Sequence, residues 1–196
     1  MRLPAEVAIR VPAEISIRAL LPSDRRAVEF AFGRLSERSR YQRFFTVKPD
    51  LPVRELASLT RVDHWHHEAL IAFSPPPRTP IGIARYVRLD DFDAAEVAIE
   101  VVDDWQRRGV GSALLAALTA RAGAAGITRF HVSMLRDNRA ARALADHVGP
   151  ATVLAAAGNV LEMSYSVSVG SSVPAGSSGP GSSPPSLPSP APTATG

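Results

Sequence analysis

Apolar residues recur along the chain with two alternating periods, two and about 3.6, and the alternation divides it into strands and helices. Ile15 to Leu20 alternates apolar with polar residues and reads as a strand that ends before Pro22. Ser23 or Asp24 can cap a helix on which Ala27, Val28, Ala31, Phe32 and Leu35 lie at helical spacing. Pro52 opens a short helix through Leu59. Glu68 to Phe73 and Ile81 to Leu89 read as strands parted by the Pro75-Pro76-Pro77 turn, and Ala94 to Val102 as a fourth strand. A longer helix follows, with Val110, Ala113, Leu114, Ala117 and Leu118 in one stripe, stopping by Gly126. Phe130 to Leu135 is the next strand and Asn138 to His147 the next helix; Thr152 to Leu154 and Val160 to Val167 close the series as strands. The order is mixed α/β, and its central strand–helix–strand unit predicts a parallel, right-handed pair.

Composition sets the boundaries. From Ser168 to Gly196 the chain is almost wholly Ser, Pro, Gly, Ala and Thr, too poor in apolar surface to offset the entropy of ordering. The expected organisation is an N-terminal extension over 1–13, one folded domain over 14–167, and a disordered tail over 168–196. A proline-rich docking site is the alternative reading of the tail. The absence of cysteine excludes disulfides, thiolate metal sites and a cysteine nucleophile. Lys and Arg number 22 against 19 Asp and Glu, and Lys48 is the only lysine. The arginines lie among acids and read as solvated helix faces and surface pairs rather than a nucleic-acid patch. No secretory signal pattern opens the chain, and no stretch approaches the roughly 20 apolar residues of a membrane span. The expectation is a cytoplasmic protein with neither nucleic-acid nor membrane partners.

The most informative segment is Gln106-Arg107-Arg108-Gly109-Val110-Gly111-Ser112, where the fourth strand ends and the long helix begins. Glycines permit tight turns there, and the helix's first amides point unpaired toward an anion. Arg107 and Arg108 add charge beside them, so the loop reads as a phosphate or pyrophosphate site. A glycine-rich helix entry without a ligand is the bland alternative. A nucleotide-hydrolysing P-loop needs Gly-Lys-Ser/Thr, which is missing, and a dinucleotide fingerprint needs a third glycine where Leu114 stands.

Gln106-Arg107-Arg108-Gly109-Val110-Gly111 resembles the Gln/Arg-x-x-Gly-x-Gly/Ala motif of the GNAT N-acetyltransferase superfamily. The resemblance implies a mixed, mostly antiparallel sheet flanked by helices, with a parallel strand pair around the cofactor site. It implies acetyl-coenzyme A as cosubstrate, with the pyrophosphate on the amides of Gln106 to Ser112 and the pantetheine paired to the backbone near Val101 and Val102. Asp137-Asn138-Arg139-Ala140-Ala141 resembles the family's second coenzyme motif, with Asn138 as a polar contact; Asn138 is also a good helix cap. Leu35 to Phe45, with Gly82 to Val87, is similar to the bacterial protein-lysine acetyltransferase branch, where this region lines the acceptor entrance. Tyr41, Phe44 and Phe45 also fit core aromatics on a short helix.

Such chemistry needs a neutral amine, and a lysine of pKa ~10.4 is neutral in only about one molecule in two thousand at pH 7. A positioned carboxylate can relieve this. Strand alternation puts Glu96, Ala98 and Glu100 on one face and Val97, Ile99 and Val101 on an apolar face suited to a helix. The two glutamates are ~13 Å apart along the strand, too far to share a proton. Ala95-Glu96-Val97-Ala98 resembles the family segment that carries the general base, so Glu96 is the expected base; a surface or ion-paired glutamate is the plain alternative. Many family members carry a tyrosine acid where Ala145 stands here, and no spacing assigns that role to Tyr86 or Tyr165. Asp63-His64-Trp65-His66-His67-Glu68 reads as a polar loop rather than a metal site, since no second ligand cluster is visible. The resulting expectation is acetyl transfer to a primary amine, chiefly a protein lysine. A small-molecule amine as acceptor and a weakly catalytic acetyl-coenzyme A-binding regulatory module are the alternatives, and oligomeric state is unassigned.

Overall fold

A computed structural model describes residues 15–91 and 93–167; the predicted extension over 1–13 and tail over 168–196 lie outside the described residues. Seven strands form one sheet in the order β1-β2-β3-β4-β5-β7-β6. They are β1 (Ser16–Ala19), β2 (His67–Phe73), β3 (Pro80–Arg88), β4 (Ala94–Val101), β5 (Arg129–Leu135), β6 (Ala151–Ala157) and β7 (Val160–Ser166). All neighbours are antiparallel except β4 and β5, which run parallel as the strand–helix–strand order predicts.

That parallel pair is the weakest seam. β3 and β4 match from Gly82↔Val101 to Arg88↔Ala95, and β5 and β7 match along their whole length. Between β4 and β5 the ladder holds only Ala94↔Arg129, Ala95↔Phe130 and Glu96↔His131. Both strands continue beyond it, so two antiparallel half-sheets share a short hinge and then part. The closed end is fastened at Asp93, whose carbonyl accepts from the Thr128 and Arg129 amides and whose carboxylate meets Arg129 at 2.6 Å.

Helices cover both faces. The helices α1 (Arg25–Gly33), α2 (Glu37–Phe44) and α3 (Val53–Thr60) pack on one face; α4 (Val110–Ala124) and α5 (Arg139–Ala145) pack on the other. Val28, Ala31 and Phe32 bury the predicted stripe of α1, and Val110, Ala113, Leu114 and Leu118 that of α4. Gly126, at φ 79°, ends α4 by the expected device: its N–H bonds to Gly123 O and that of Ile127 to Ala122 O. The apolar face of β4 does lie under a helix. Gly82 makes this approach possible, since a Cβ there would stand 3.0 Å from Leu114 Cδ1 and 3.1 Å from Glu100 O.

Two elements depart from the sequence pattern. α2 carries no fully buried residue, so its arginine-rich stretch gives no amphipathic signal; Ser36 caps it by accepting the Ser39 amide. Strand β6 runs to Ala157 rather than Leu154, because pairing with β7 across the Gly158-Asn159 turn extends an alanine run of poor intrinsic strand preference.

Gly82→Ala is expected to destabilise the fold by about 1–3 kcal/mol, because neither α4 nor the β4 carbonyl can retreat without loosening the core. Urea denaturation checks it; an unchanged midpoint would show that the contact of α4 with β3 is slack.

Candidate active site

The gap between β4 and β5 has a defined chemistry. Val102 donates its N–H to Ile81 O on β3 at 3.0 Å. By strand alternation Glu96, Ala98 and Glu100 also face β3 with their backbone groups, whereas those of Val97, Ile99 and Val101 face the gap. The Glu96↔His131 rung still engages the Val97 amide, and past it no β5 partner meets Ile99 and Val101, so one edge of β4 is open to an extended guest. Of the two valines expected at the pantetheine, Val101 faces the gap and Val102 is turned to β3. Val101 O already accepts from Gln106 Nε2 at 3.0 Å, and the same amide reaches Ser39 Oγ at 3.2 Å.

At the open end the chain turns through Arg107 (φ 59°) and Gly109 (φ 82°) into α4. Two left-handed residues in three form a concave run of amides of the kind that holds anions. No side chain among the described residues caps α4, and its first internal bond is from Ala113 N–H to Gly109 O. The amides of Val110, Gly111 and Ser112 are therefore left without helical acceptors. Gly111 packs against α5, where a Cβ would meet Leu144 Cδ2 at 3.3 Å. Arg108 stacks on Trp105 at 5.2 Å, while Arg107 has no partner among the described residues. Asn138 caps α5, its Oδ1 accepting from the Ala141 amide at 3.1 Å.

The two β4 glutamates differ sharply in surroundings. Glu100 is 11% exposed in its side chain and accepts from Arg43 Nε of α2 at 2.6 Å. Nearby Arg85, 5% exposed, caps the end of α3 through Leu59 O. Burial pushes Arg85 down to about 10, against the opposing pull of Glu100. Glu96 is exposed, has no ion pair among the described residues, and stands at the last β4–β5 pair, where the gap begins. It borders a cavity of about 250 Å3 together with His131 and Ser133 of β5 and Glu162 of β7. His131 and Glu162 escape a reading of the sequence, because only the pairings Glu96↔His131 and Ser133↔Glu162 bring them here.

Helix α2 is pinned across this site. Asp103 accepts from Ser36 N at 2.8 Å, Ser36 Oγ at 2.7 Å and Ser39 Oγ at 2.9 Å, and Asp104 meets Arg34 at 3.0 Å. Desolvation works against the Asp103 charge, but the serine donors outweigh it and hold its carboxyl below its ordinary value. Of the three aromatics with alternative core roles, Phe44 packs edge-on to Phe32 at 5.8 Å, while Tyr41 and Phe45 remain exposed. Tyr86 and Tyr165 are both buried, and burial raises both phenols; Tyr165 donates to Asp146 Oδ1 at 3.3 Å. The histidine-rich segment is a polar loop in which Asp63 Oδ1 accepts the amides of Trp65, His66 and His67. His64 joins Arg121 on Glu68, which is only 1% exposed.

A parted parallel strand pair that ends in a glycine turn onto a helix with free N-terminal amides can hold an extended amide-bearing arm with an anion at its end. A family model for the acetyltransferase (GNAT) family matches residues 36–149, and the chain belongs to that family. It is 34% identical over 148 residues to acetyltransferase Pat of Mycolicibacterium smegmatis, covering 74% of this chain and 44% of that protein, so it spans less than half of that relative's length. The GNAT domain of S. lividans PAT superposes with a TM-score of 0.70 at 28% identity, over 77% of this chain and 89% of that one. A cAMP-binding acyltransferase from Mycobacterium smegmatis superposes with a TM-score of 0.56 at 31% identity, over 82% and 46% of the two chains. No helix among the described residues is long and apolar enough to cross a membrane.

Because the folded state holds Asp103 below its ordinary value, its ion contributes stability that is present above pH ~4 and lost as pH falls through the lower folded value. Asp103→Asn is therefore expected to cost about 1 kcal/mol at neutral pH, shrinking in acid as the wild-type carboxylate takes up its proton. Paired urea titrations at neutral and acid pH read this directly; a cost independent of pH would remove the charge from the clamp.

Proposed function

We propose that this chain transfers the acetyl group of acetyl-coenzyme A to a primary amine, foremost a protein lysine side chain, by direct attack with Glu96 as general base, and that it acts in the cytoplasm. The observation that carries the reading is the position of Glu96: an unpaired carboxylate at the vertex of the gap, while Glu100 on the same strand is engaged by Arg43. Bound in the gap, acetyl-coenzyme A would supply an activated acetyl thioester.

The residues present fit such a cosubstrate. The amides of Gly109 to Ser112 stand unpaired for a pyrophosphate, with Arg107 free beside them among the described residues. The open edge of β4 at Ile99 suits an extended amide-bearing arm. Gln106 anchors the strand end by holding Val101 O, and Asn138 orders the start of α5 beside the loop. Glu96 accepts the proton that leaves the ammonium. Nitrogen then bonds to the acetyl carbon as the carbon–sulfur bond breaks. In sum, an ammonium and a thioester give an amide, a thiol and one proton released to solvent. With Tyr86 and Tyr165 buried, water protonates the departing thiolate.

Glu96→Gln is expected to lower kcat about 100-fold, the typical contribution of a positioned base. Free-thiol release with a lysine peptide reads kcat, and thermal stabilisation by coenzyme A reports an intact cofactor site. Equal turnover in wild type and variant would remove Glu96 from the mechanism. Stabilisation by coenzyme A without thiol release from any amine would make the chain a binding module.

A further inference from the structure

Four carboxylates stand on strands of the sheet: Glu68 of β2, Glu96 and Glu100 of β4, and Glu162 of β7. Two are neutralised by arginine, Glu68 by Arg121 at 2.8 Å and Glu100 by Arg43 at 2.6 Å. The other two, Glu96 and Glu162, open into one cavity of about 250 Å3, and neither has an ion pair among the described residues. Among the described residues, no arginine or lysine lines that cavity. Leu89 and Leu154 supply apolar wall beside the carboxylates, whereas Val132 and Met163, paired with each other, turn their side chains to the opposite face of the sheet; His131 is the one further titratable group facing the cavity among the described residues.

The register places Glu162 relative to the reaction. Glu96 pairs with His131, the last rung before the gap opens. Glu162 pairs with Ser133, two residues further along β5, and so stands level with the open part of the gap. With strands ~4.8 Å apart and ~3.3 Å of rise per residue, its α-carbon is ~12 Å from that of Glu96, diagonally across β5. One carboxylate marks the vertex of the gap and the other its far wall.

From this arrangement we infer that Glu162 is an acceptor-binding residue, holding the incoming amine as its ammonium and selecting a primary ammonium on an aliphatic stem with no carboxylate beside it. The inference rests on the acetyl-transfer reading above and specifies its acceptor. A cation bound between unneutralised carboxylates gains a charge-assisted hydrogen bond, and the apolar wall shelters the methylenes behind it. A free α-amino acid would bring its own carboxylate beside Glu96 and Glu162, where no arginine or lysine among the described residues offsets it, and like charges repel. A lysine side chain in a protein and an alkyl diamine both meet the requirement. Glu96 removes the proton; Glu162 supplies position.

Three acceptors separate these outcomes: lysine blocked at both its amino and carboxyl groups, 1,5-diaminopentane, and free leucine, each assayed by thiol release from acetyl-coenzyme A. Blocked lysine or the diamine is expected to be acetylated with a kcat/KM at least about tenfold above that of leucine, and their ratio tells a protein acceptor from a small one. E162Q is expected to raise KM for the preferred amine about tenfold or more while kcat changes by less than about threefold, and E162D to restore most of the loss. An unchanged KM in E162Q, folded and still stabilised by coenzyme A, overturns the inference and leaves acetyl transfer standing. Preference for leucine overturns it equally. If wild type releases no thiol with any of the three amines although coenzyme A stabilises it, the enzymatic reading itself fails.

Discussion

Everything at this site depends on a parallel ladder that is only three pairs long. Two half-sheets are each zipped along their length by antiparallel pairing, β3 to β4 and β5 to β7, while the join between them runs from Ala94↔Arg129 to Glu96↔His131. Asp93 secures the closed end through two backbone bonds and Arg129. Twist in each half then separates the strands beyond Glu96. A sheet interior, normally a place without free backbone groups, is thereby given an open edge whose far end meets the amides at the start of α4.

The electrostatics follow the same division. Charges that hold structure are matched: Glu68 with Arg121 under α4, Glu100 with Arg43 under α2, Asp103 with the two serines that begin α2. Breaking either arginine pair would leave a buried carboxylate uncompensated, so Glu68 and Glu100 are committed to the fold. The carboxylates at the cavity are left unmatched, which is affordable only because they are exposed to water until an acceptor arrives. Family membership defines the chemical class, and the unmatched pair gives this chain its own account of the acceptor.

Local signals were legible in the sequence and long-range ones were not. The glycine turn, the apolar stripe of α4 and the face alternation of β4 depend on neighbours within a few residues, and each stands where the periodicity put it. The choice between Glu96 and Glu100 was argued from a resemblance; the structure adds that Arg43, over fifty positions earlier, occupies Glu100. Nothing local distinguishes Glu162 from any exposed strand glutamate, since its place depends on the β5–β7 register. Helix α2 was legible only as a short helix of core aromatics; bonds from Ser36 to Asp103 and from Arg43 to Glu100, rather than an apolar stripe, hold it in place.

Amide hydrogen exchange with and without coenzyme A tests the central claim most directly. If the parted strands receive the cofactor, exchange slows at the gap-facing amides of Ile99 and Val101 and at Val110, Gly111 and Ser112, with little change in the β6–β7 hairpin. Coenzyme A that binds while leaving those amides exchanging at their free rate would contradict the account.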